Sequence, residues 1–472
     1  MNSPYDEPTT LVIFGATGDL SSRKIFPSLF YLYQQGRLPE RAAIIGYSRR
    51  ELPNEDFRTM VKESLVGKMN MPENIDAFLS LFSYHRGTFD EATAFESLAQ
   101  TIESKEKAWG QCGNKLFYLS VPPESYPPIF QNLAHTKLNI PCGGKLGWSR
   151  VLIEKPFGSD GKTAHELQTL LSTYFTEDQL YRIDHYLFKE IVQGIEHFRF
   201  SNNLFENRWG NDTVAQIDIR LLESIGVESR GAFYDKVGAF RDVGQNHLLA
   251  MLAAITAQYP AGSGVEEIQG ERAKALSALA PWTDESIAQS TYRAQYQGYQ
   301  SIKGVEPGST TETYVALKTE LQLPQWNGVP IFLEAGKRTG EPLKEMVITL
   351  RHPKKCLLCT VGSHGANTIT FRLEPNDEIV IKFWTKKPGF ERVLEERAFS
   401  FFLYEKETKV QYVEEYSKIL NAAMVGDRAL FVGPDEIKAM WKFTDLVVEA
   451  WQRNVVPLDT YPPDTRPLPT FR

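Results

Sequence analysis

The sequence predicts two architectures in one chain: an N-terminal doubly wound α/β domain, then a larger α+β domain built on a mainly antiparallel β-sheet with helices. Three observations carry this reading. Thr10 to Phe14 is a short β-branched and aromatic run, followed by Gly15-Ala16-Thr17-Gly18-Asp19-Leu20 and a helical pattern through Ile25, Leu29 and Leu32. Strand and helix patterns then alternate to about residue 180, as in a parallel sheet covered on both faces. Beyond that point strands follow one another with few crossover helices, which favours antiparallel pairing. The boundary is placed between residues 1–180 and 181–472.

Strand, glycine turn and helix form the arrangement that holds a pyrophosphate on backbone N–H groups in a Rossmann domain. The spacing falls short of the full GxGxxG, and Pro27 inside the helical pattern implies a kink or an early first turn. A second strand, Ala42 to Gly46, runs into Tyr47-Ser48-Arg49-Arg50. An NAD-selective domain places an acid there, on the ribose 2′-hydroxyl; two arginines and a serine suit a 2′-phosphate, so NADP is expected. Lys115 to Val121, closed by Pro122-Pro123, and Ser149 to Glu154, running into Lys155-Pro156-Phe157-Gly158, complete the readable strands of this half. Gly15, Arg49, Pro122 and Lys155 all fall at carboxyl ends of strands, where such sheets bind ligands, so Lys155 could reach coenzyme and substrate together.

Arg182 to Glu190 packs an acid, an imidazole, a phenol, a guanidinium and an ammonium into one stretch. On an ideal helix Arg182, His185, Tyr186 and Lys189 would share a face of donors and positive charge, suited to a phosphate or a carboxylate. Asp184 would then point away among Phe188 and Ile191, and a buried, unpaired Asp is costly. The helix is therefore expected to begin near Asp184, with Lys189 in its first or second turn, where an anion meets free N–H groups.

Strands are predicted at Thr213 to Leu222, Thr311 to Lys318, Met346 to Arg351, Thr368 to Leu373 and Glu378 to Phe383. Between the first two lies a long helix, Ala232 to Ala257, carrying Asp242, Asn246 and His247. A lone His on such a helix is more often a satisfied core residue than a base. Glu414 to Leu420 and Asp435 to Trp451 read as amphipathic helices, and the chain from Pro457 as a surface tail.

The chain has 472 residues, enough for two or three domains, and its net charge of −7 argues against nucleic acid as a partner. The longest apolar run, Leu248 to Ala257, is too short to cross a bilayer, so no membrane partner is expected. The polar, acidic start has no signal-peptide pattern, and four cysteines make no disulfide framework; a reducing cytoplasm is the expected location. Cys356 and Cys359 form a CxxC pair, but with no second pair nearby it speaks only weakly for zinc or redox chemistry, and no metal is expected.

The segments GATGDLSSRKIFPSL, LFYLSVPP, EKPFG, RIDHYLFKE, RGAFYDKVGAFRDVGQNHLL, EAGKRTGE, EPNDEIVIKFWTKKPG and VGDRALF, in this order, resemble the glucose-6-phosphate dehydrogenase family from about residue 10 to about 455. The resemblance implies a Rossmann coenzyme domain, an antiparallel β+α domain whose sheet forms a dimer interface, and oxidation of C1 of glucose 6-phosphate to the lactone with hydride passing to NADP. It implies that His247 is the general base and Asp184 its carboxylate partner. His185, Tyr186 and Lys189 match the substrate phosphate site, Glu223 and Asp242 the sugar hydroxyls, and Lys337 and Lys155 further substrate contacts. Gly15, Ala16, Thr17, Gly18, Asp19, Leu20, Ser21, Ser22, Arg49, Tyr126 and Lys155 match coenzyme positions. A homodimer or homotetramer follows by the same resemblance.

This chemistry is coherent in itself. Removing a hydride from a hydroxyl-bearing carbon requires the hydroxyl proton to leave as well, and a neutral His accepts it near neutral pH. A paired Asp fixes the tautomer and favours the imidazolium as it forms. Six departures from the family pattern stand out: Glu334 and Pro342 where Arg is common, Glu374 for a common Gln, Phe188 for Gly, Gly244 for Met, and Tyr461-Pro462-Pro463-Asp464 in place of an aromatic-glycine tail. They motivate two alternatives: a dehydrogenase of another hexose or amino-hexose, phosphorylated or not, and a catalytically silent regulatory paralogue.

Overall fold

The computed structural model describes residues 5–66, 75–142, 147–202, 209–258, 264–353, 364–403, 413–469 and 471. The chain divides into two compact units, Met1–Gly158 with Lys162–Phe188 and Val413–Val432, and Ser159–Gly161 with Lys189–Tyr412 and Gly433–Arg472. The return of residues 413–432 to the first unit is not part of a single boundary at residue 180.

The first unit holds a six-stranded sheet of β1 (Thr9–Phe14), β2 (Ala42–Ser48), β3 (Phe82–Arg86), β4 (Asn114–Leu119), β5 (Ser149–Ile153) and β6 (Leu180–Arg182). All its pairings are parallel, in the order β3-β2-β1-β4-β5-β6. Every residue of β1 is buried because side chains alternate between two covered faces. Leu11 and Ile13 enter one apolar cluster; Val12 and Phe14 enter the other. The helix Glu415–Val425 covers the first cluster with Tyr416, Ile419, Leu420 and Ala423. Strand order reverses between β1 and β4, which opens a crevice at their carboxyl ends.

After the glycine turn the chain is helical from residue 19, with Ser21–Ile25 in i→i+5 geometry and Phe26–Gln34 α-helical. Pro27 sits in the first turn of the α segment, where its missing N–H is tolerated. Cys112 and Cys142 are bonded, with Cα atoms 5.8 Å apart, one bridge where the sequence suggested none.

The second unit holds a nine-stranded sheet of β7 (Val214–Leu222), β8 (Thr291–Tyr296), β9 (Tyr314–Thr319), β10 (Ile331–Gly336), β11 (Leu343–Leu350), β12 (Thr368–Glu374), β13 (Glu378–Lys386), β14 (Leu394–Phe402) and β15 (Leu458–Tyr461). The order is β14-β13-β12-β11-β7-β10-β9-β8-β15, antiparallel except for β7/β10 and β8/β15. Two expectations fail here. The helix predicted over Ala232–Ala257 is broken into Gly231–Tyr234, a π-helical Phe240–Leu248 and an α-helical Leu249–Thr256. The break sits at Gly238 (φ +75°), where an added Cβ would lie 2.3 Å from the Glu312 carboxylate. That carboxylate accepts the Phe240 N–H at 3.0 Å and so caps the new helical start. The tail from Pro457 is not loose either. Leu458–Tyr461 pairs with β8, and the buried Tyr461 hydroxyl donates to the Lys337 carbonyl at 2.5 Å. Cys356 and Cys359 lie outside the described residues.

Candidate active site

In the first unit the carboxyl edge of the sheet gathers the chemistry. Gly15 follows β1 at φ +79°, and an added Cβ would lie 2.2 Å from the Ser120 carbonyl, so only glycine lets the turn pass that close. The turn is closed by Gly18 N–H on Gly15 O at 2.9 Å and by the buried Ser21 hydroxyl on the same oxygen at 3.2 Å. Ala16 is buried, Ser22 N–H bonds Gly18 O, and Thr17 and Ser48 share a hydroxyl contact at 3.0 Å. Asp19 and Leu20 begin the helical run, and the N–H groups at a helix start favour an anion. The turn therefore fits a dinucleotide pyrophosphate.

Arg49 follows β2 and lines a cleft of about 420 Å³ with Arg86, Gly87, Thr88 and Thr93. Arg86 and Thr88 escape sequence reading because the short polar strand β3 does. Two guanidiniums at one cleft fit a 2′-phosphate. Lys155 follows β5. Tyr126 does not present its hydroxyl to solvent: it is buried and donates to the Glu154 carbonyl at 3.1 Å, holding the turn that carries Lys155. The Glu154 side chain was not singled out from the sequence. It takes a hydrogen bond from Tyr118 at 2.5 Å, and burial pushes its carboxyl up to about 7, against the pull of Tyr118, Lys155 and Tyr416.

Asp184 follows β6, but no helix begins there. Asp184–Phe188 forms two overlapping turns, Leu187 N–H to Asp184 O at 3.1 Å and Phe188 N–H to His185 O at 3.2 Å. Asp184 is 2% exposed, and its Oδ1 accepts the Tyr186 N–H at 3.0 Å, so burial is compensated as it must be. His185 is half-buried, its ring 5.0 Å from that of Tyr186. Arg182 leaves the predicted cationic face altogether: it is buried on β6 against the Glu177 carboxylate at 2.6 and 2.9 Å. Phe188, the departure from glycine, fills the apolar core and packs on Phe431 at 5.0 Å.

In the second unit Lys189 is the N-cap of the helix Glu190–Phe200, not a residue inside its first turns. Glu223 and Lys337 leave the ends of parallel neighbours, because Leu222 and Gly336 are partners in the β7/β10 register. The Lys337 ammonium bonds Glu223 at 2.6 Å and lies 5.5 Å from the Tyr234 ring. Tyr234, overlooked in the sequence, has a buried hydroxyl without a hydrogen-bond partner among the described residues. Its pKa is driven up by burial and by the charges of Asp242, Glu312 and Glu223. The π-helical segment packs on β7 and β10 and carries Asp242 and His247. His247 is 3% exposed, and its backbone N–H donates to the Asn246 side-chain oxygen at 2.7 Å. Asn246 in turn donates to the carbonyls of Arg241 and Asp242, which ties the residues of this segment to one another.

Glycine turn, cleft arginines and lysine at one sheet edge, with a sheet-mounted acid and lysine in a second unit, define a two-domain dinucleotide-dependent dehydrogenase. The family models described as the NAD binding domain and the C-terminal domain of glucose-6-phosphate dehydrogenase match residues 12–194 and 196–468. A glucose-6-phosphate 1-dehydrogenase of Chlamydia pneumoniae is 36% identical, with 97% of this chain and 92% of that protein covered. A chloroplastic one of Spinacia oleracea is 33% identical, covering 99% and 82%. A solved glucose-6-phosphate dehydrogenase in complex with its substrate glucose-6-phosphate superposes with a TM-score of 0.90 at 32% identity, covering 100% and 97%. The chain belongs to the glucose-6-phosphate dehydrogenase family and is an NADP-dependent oxidoreductase acting on a CH–OH group.

Proposed function

We propose that the chain oxidises C1 of glucose 6-phosphate to 6-phosphoglucono-1,5-lactone. The observation that carries this is the whole-length likeness to the substrate-bound family structure. We assign His247 as the base that takes the C1 hydroxyl proton and Asp184 as the carboxylate that orients it. His185, Tyr186 and Lys189 receive the phosphate; a helix N-cap and a tandem turn rich in donors support that assignment. Glu223 and Asp242 hold sugar hydroxyls and Lys337 contacts the substrate, and the Glu223–Lys337 pair supports it by presenting an acceptor and a donor together. NADP supplies the hydride acceptor when bound. The Gly15–Ser22 turn would hold its pyrophosphate, Arg49 with Arg86 its 2′-phosphate, and Lys155 would meet coenzyme and sugar. Anchoring the phosphate, far from C1, orients the reacting end.

Two of the departures that raised other substrates have local explanations. Glu334 is buried against Arg466, and Glu374 is paired with Lys344 at 2.8 Å, so neither is an added free charge. NADPH formation across a panel of hexose and amino-hexose phosphates and their unphosphorylated forms tests the assignment. Glucose 6-phosphate is expected to be the best substrate; a faster amino-hexose would overturn that. His247→Ala is expected to lower kcat by about 10²–10⁴-fold, and near-full activity would remove the base from His247.

Self-association is the partner we assign beyond substrate. Ile381↔Phe399 and Ile379↔Phe401 share one face of β13/β14, on which Phe383, Phe399 and Phe401 are exposed. A homodimer covering that face is expected in light scattering. We place the protein in the cytoplasm; among the described residues no helix is long and apolar enough to cross a membrane.

A further inference from the structure

Lys337 stands one residue past the end of β10, where a backbone leaves the sheet and must find other partners. Its N–H goes to the Thr313 carbonyl at 2.9 Å, and its own carbonyl takes the Tyr461 hydroxyl at 2.5 Å. That hydroxyl also lies 3.0 Å from the Thr313 hydroxyl, so one group on the C-terminal segment touches both residues of the Lys337–Thr313 contact. Tyr461 itself has little freedom. It is 3% exposed, β15 pairs it with Tyr296, and its ring meets those of Tyr296 and Tyr314 edge-on at 6.2 and 5.9 Å. A phenol packed this way presents its hydroxyl at a fixed point.

The next residue is held from the same segment. Arg338 has φ +52°, a left-handed conformation that a non-glycine residue keeps only where its surroundings hold it. Asp464, at φ +60°, donates its N–H to the Arg338 carbonyl at 2.7 Å and takes the guanidinium on both oxygens at 2.9 Å. The charges are partly in water, so the backbone bond carries more of the hold. With Arg338 left-handed, its N–H meets the Ile225 carbonyl at 3.2 Å and the Thr339 N–H meets the Glu223 carbonyl at 3.1 Å. Glu223 N–H is bonded to Gly336 O at 2.9 Å. The turn therefore fixes both backbone groups of Glu223 as well as the backbone of Lys337.

We propose that Tyr461 and Asp464 are positioning residues for the sugar site, which set Lys337 and Glu223 in place and so set the affinity for the sugar phosphate. They act through the 337–339 turn and not on the sugar. The proposal deepens the reading of Lys337 and Glu223 as substrate contacts and rests on it. It also gives a role to Tyr461-Pro462-Pro463-Asp464, the stretch that departs from the family's aromatic-glycine tail.

Initial rates with glucose 6-phosphate and NADP varied separately test it. Tyr461→Phe keeps the ring and loses the donor. Its KM for glucose 6-phosphate is expected to rise about three- to tenfold, with kcat, the KM for NADP and circular dichroism as in the wild type. A merely structural loss would lower kcat through the active fraction and leave KM alone. Lys337→Ala is expected to raise the sugar KM about tenfold or more, and Tyr461→Phe added to it to change KM less than about twofold, since the two act in one chain of contacts. Should Tyr461→Phe fail to fold, Asp464→Ala at the exposed pair takes its place, with a rise of about two- to threefold expected. If Lys337→Ala raises the sugar KM and the C-terminal variant does not, the proposal is overturned while the substrate reading stands. A full Tyr461→Phe effect in the Lys337→Ala background overturns it too. If Lys337→Ala leaves the sugar KM unchanged, the substrate reading of Lys337 fails first and the proposal falls with it.

Discussion

The two units bury their sheets by different means. In the first, β1 feeds alternate residues into two wholly apolar clusters, and neighbouring strands do the same. In the second, the faces of β7, β10, β11 and β12 carry charges that meet one another. Arg220 bonds Asp218 at 2.9 Å and Glu345 at 2.8 Å, and Arg372 reaches Glu345 at 3.4 Å and Glu378 at 2.6 Å. Glu334, 0% exposed, takes Arg466 at 2.6 and 2.5 Å and the Tyr314 hydroxyl at 2.6 Å. Apolar contacts are non-directional, so many side chains of similar size would serve. A buried ion tolerates only its own partner.

The sharpest test of that difference is Arg466→Ala. It leaves Glu334 buried with Tyr314 and a distant Arg220 guanidinium at 3.8 Å. A loss of about 3 kcal/mol is expected, the lower end for breaking a buried pair, because those two groups remain. Replacing both ions together, Glu334→Leu with Arg466→Met, is expected to be near neutral, since the desolvation of both charges disappears with their attraction. Urea denaturation of the three proteins decides it; a double variant as unstable as the single one would show that the packing of the Arg466 side chain, not its charge, matters.

Glu154 is the exception inside the apolar unit, and it titrates in a useful range. Its carboxyl is pushed from 4.5 up to about 7, chiefly by burial. Between those values the folded state holds a proton that the unfolded state has released, so stability falls as pH rises through that window. The full penalty, present above pH 7, is on the order of 3 kcal/mol. Glu154→Gln keeps the Tyr118 contact without the charge and is expected to flatten the stability profile between pH 5 and 8, measured by urea midpoints at each pH. An unchanged slope would place the titrating group elsewhere.

These contrasts also explain what could be read in advance. β1, β2, β4 and β5 are legible because strands buried on both faces become continuous apolar runs. β3, written Phe-Ser-Tyr-His-Arg, is a half-exposed edge, and β6 is only three residues long, so neither gives a period. β10 hides because its buried Glu334 reads as solvent-facing until Arg466 is brought to it. The helix break at Gly238 depends on Glu312, distant in sequence, and no local pattern announces it. The charge pattern around His185 and Lys189 suggested an anion site, but its helix start was misplaced: Lys189 caps the helix and Asp184 belongs to a turn. His247 and Asp184 drew their roles from family likeness, since one imidazole and one carboxylate carry no spacing signal.

A smaller effect probes the apolar side of the comparison. Ile13→Val removes one methyl group from a fully buried position on the central strand. About 1 kcal/mol is expected, and calorimetric or urea unfolding resolves it. A loss several times larger would mean that the first unit is as intolerant as the ionic one.

Smallest of all should be the change at Glu374, one of the departures that raised another sugar as substrate. Its carboxylate ends β12 about 40% exposed and is bonded to Lys344 at 2.8 Å. A carboxylate in that state already has a cation, and solvent screens what field remains. Glu374→Gln restores the amide common in the family and loses a pair worth about 1 kcal/mol or less. The ratio of kcat/KM for glucose 6-phosphate to that for an amino-hexose phosphate is therefore expected to move by no more than about twofold. Lys344→Ala sharpens the measurement, because it strips the cation and leaves the carboxylate free to attract an ammonium group. If only that variant gains on the amino sugar, the pairing with Lys344 is what keeps Glu374 silent. A tenfold swing in Glu374→Gln itself would instead make the residue a direct determinant of the sugar.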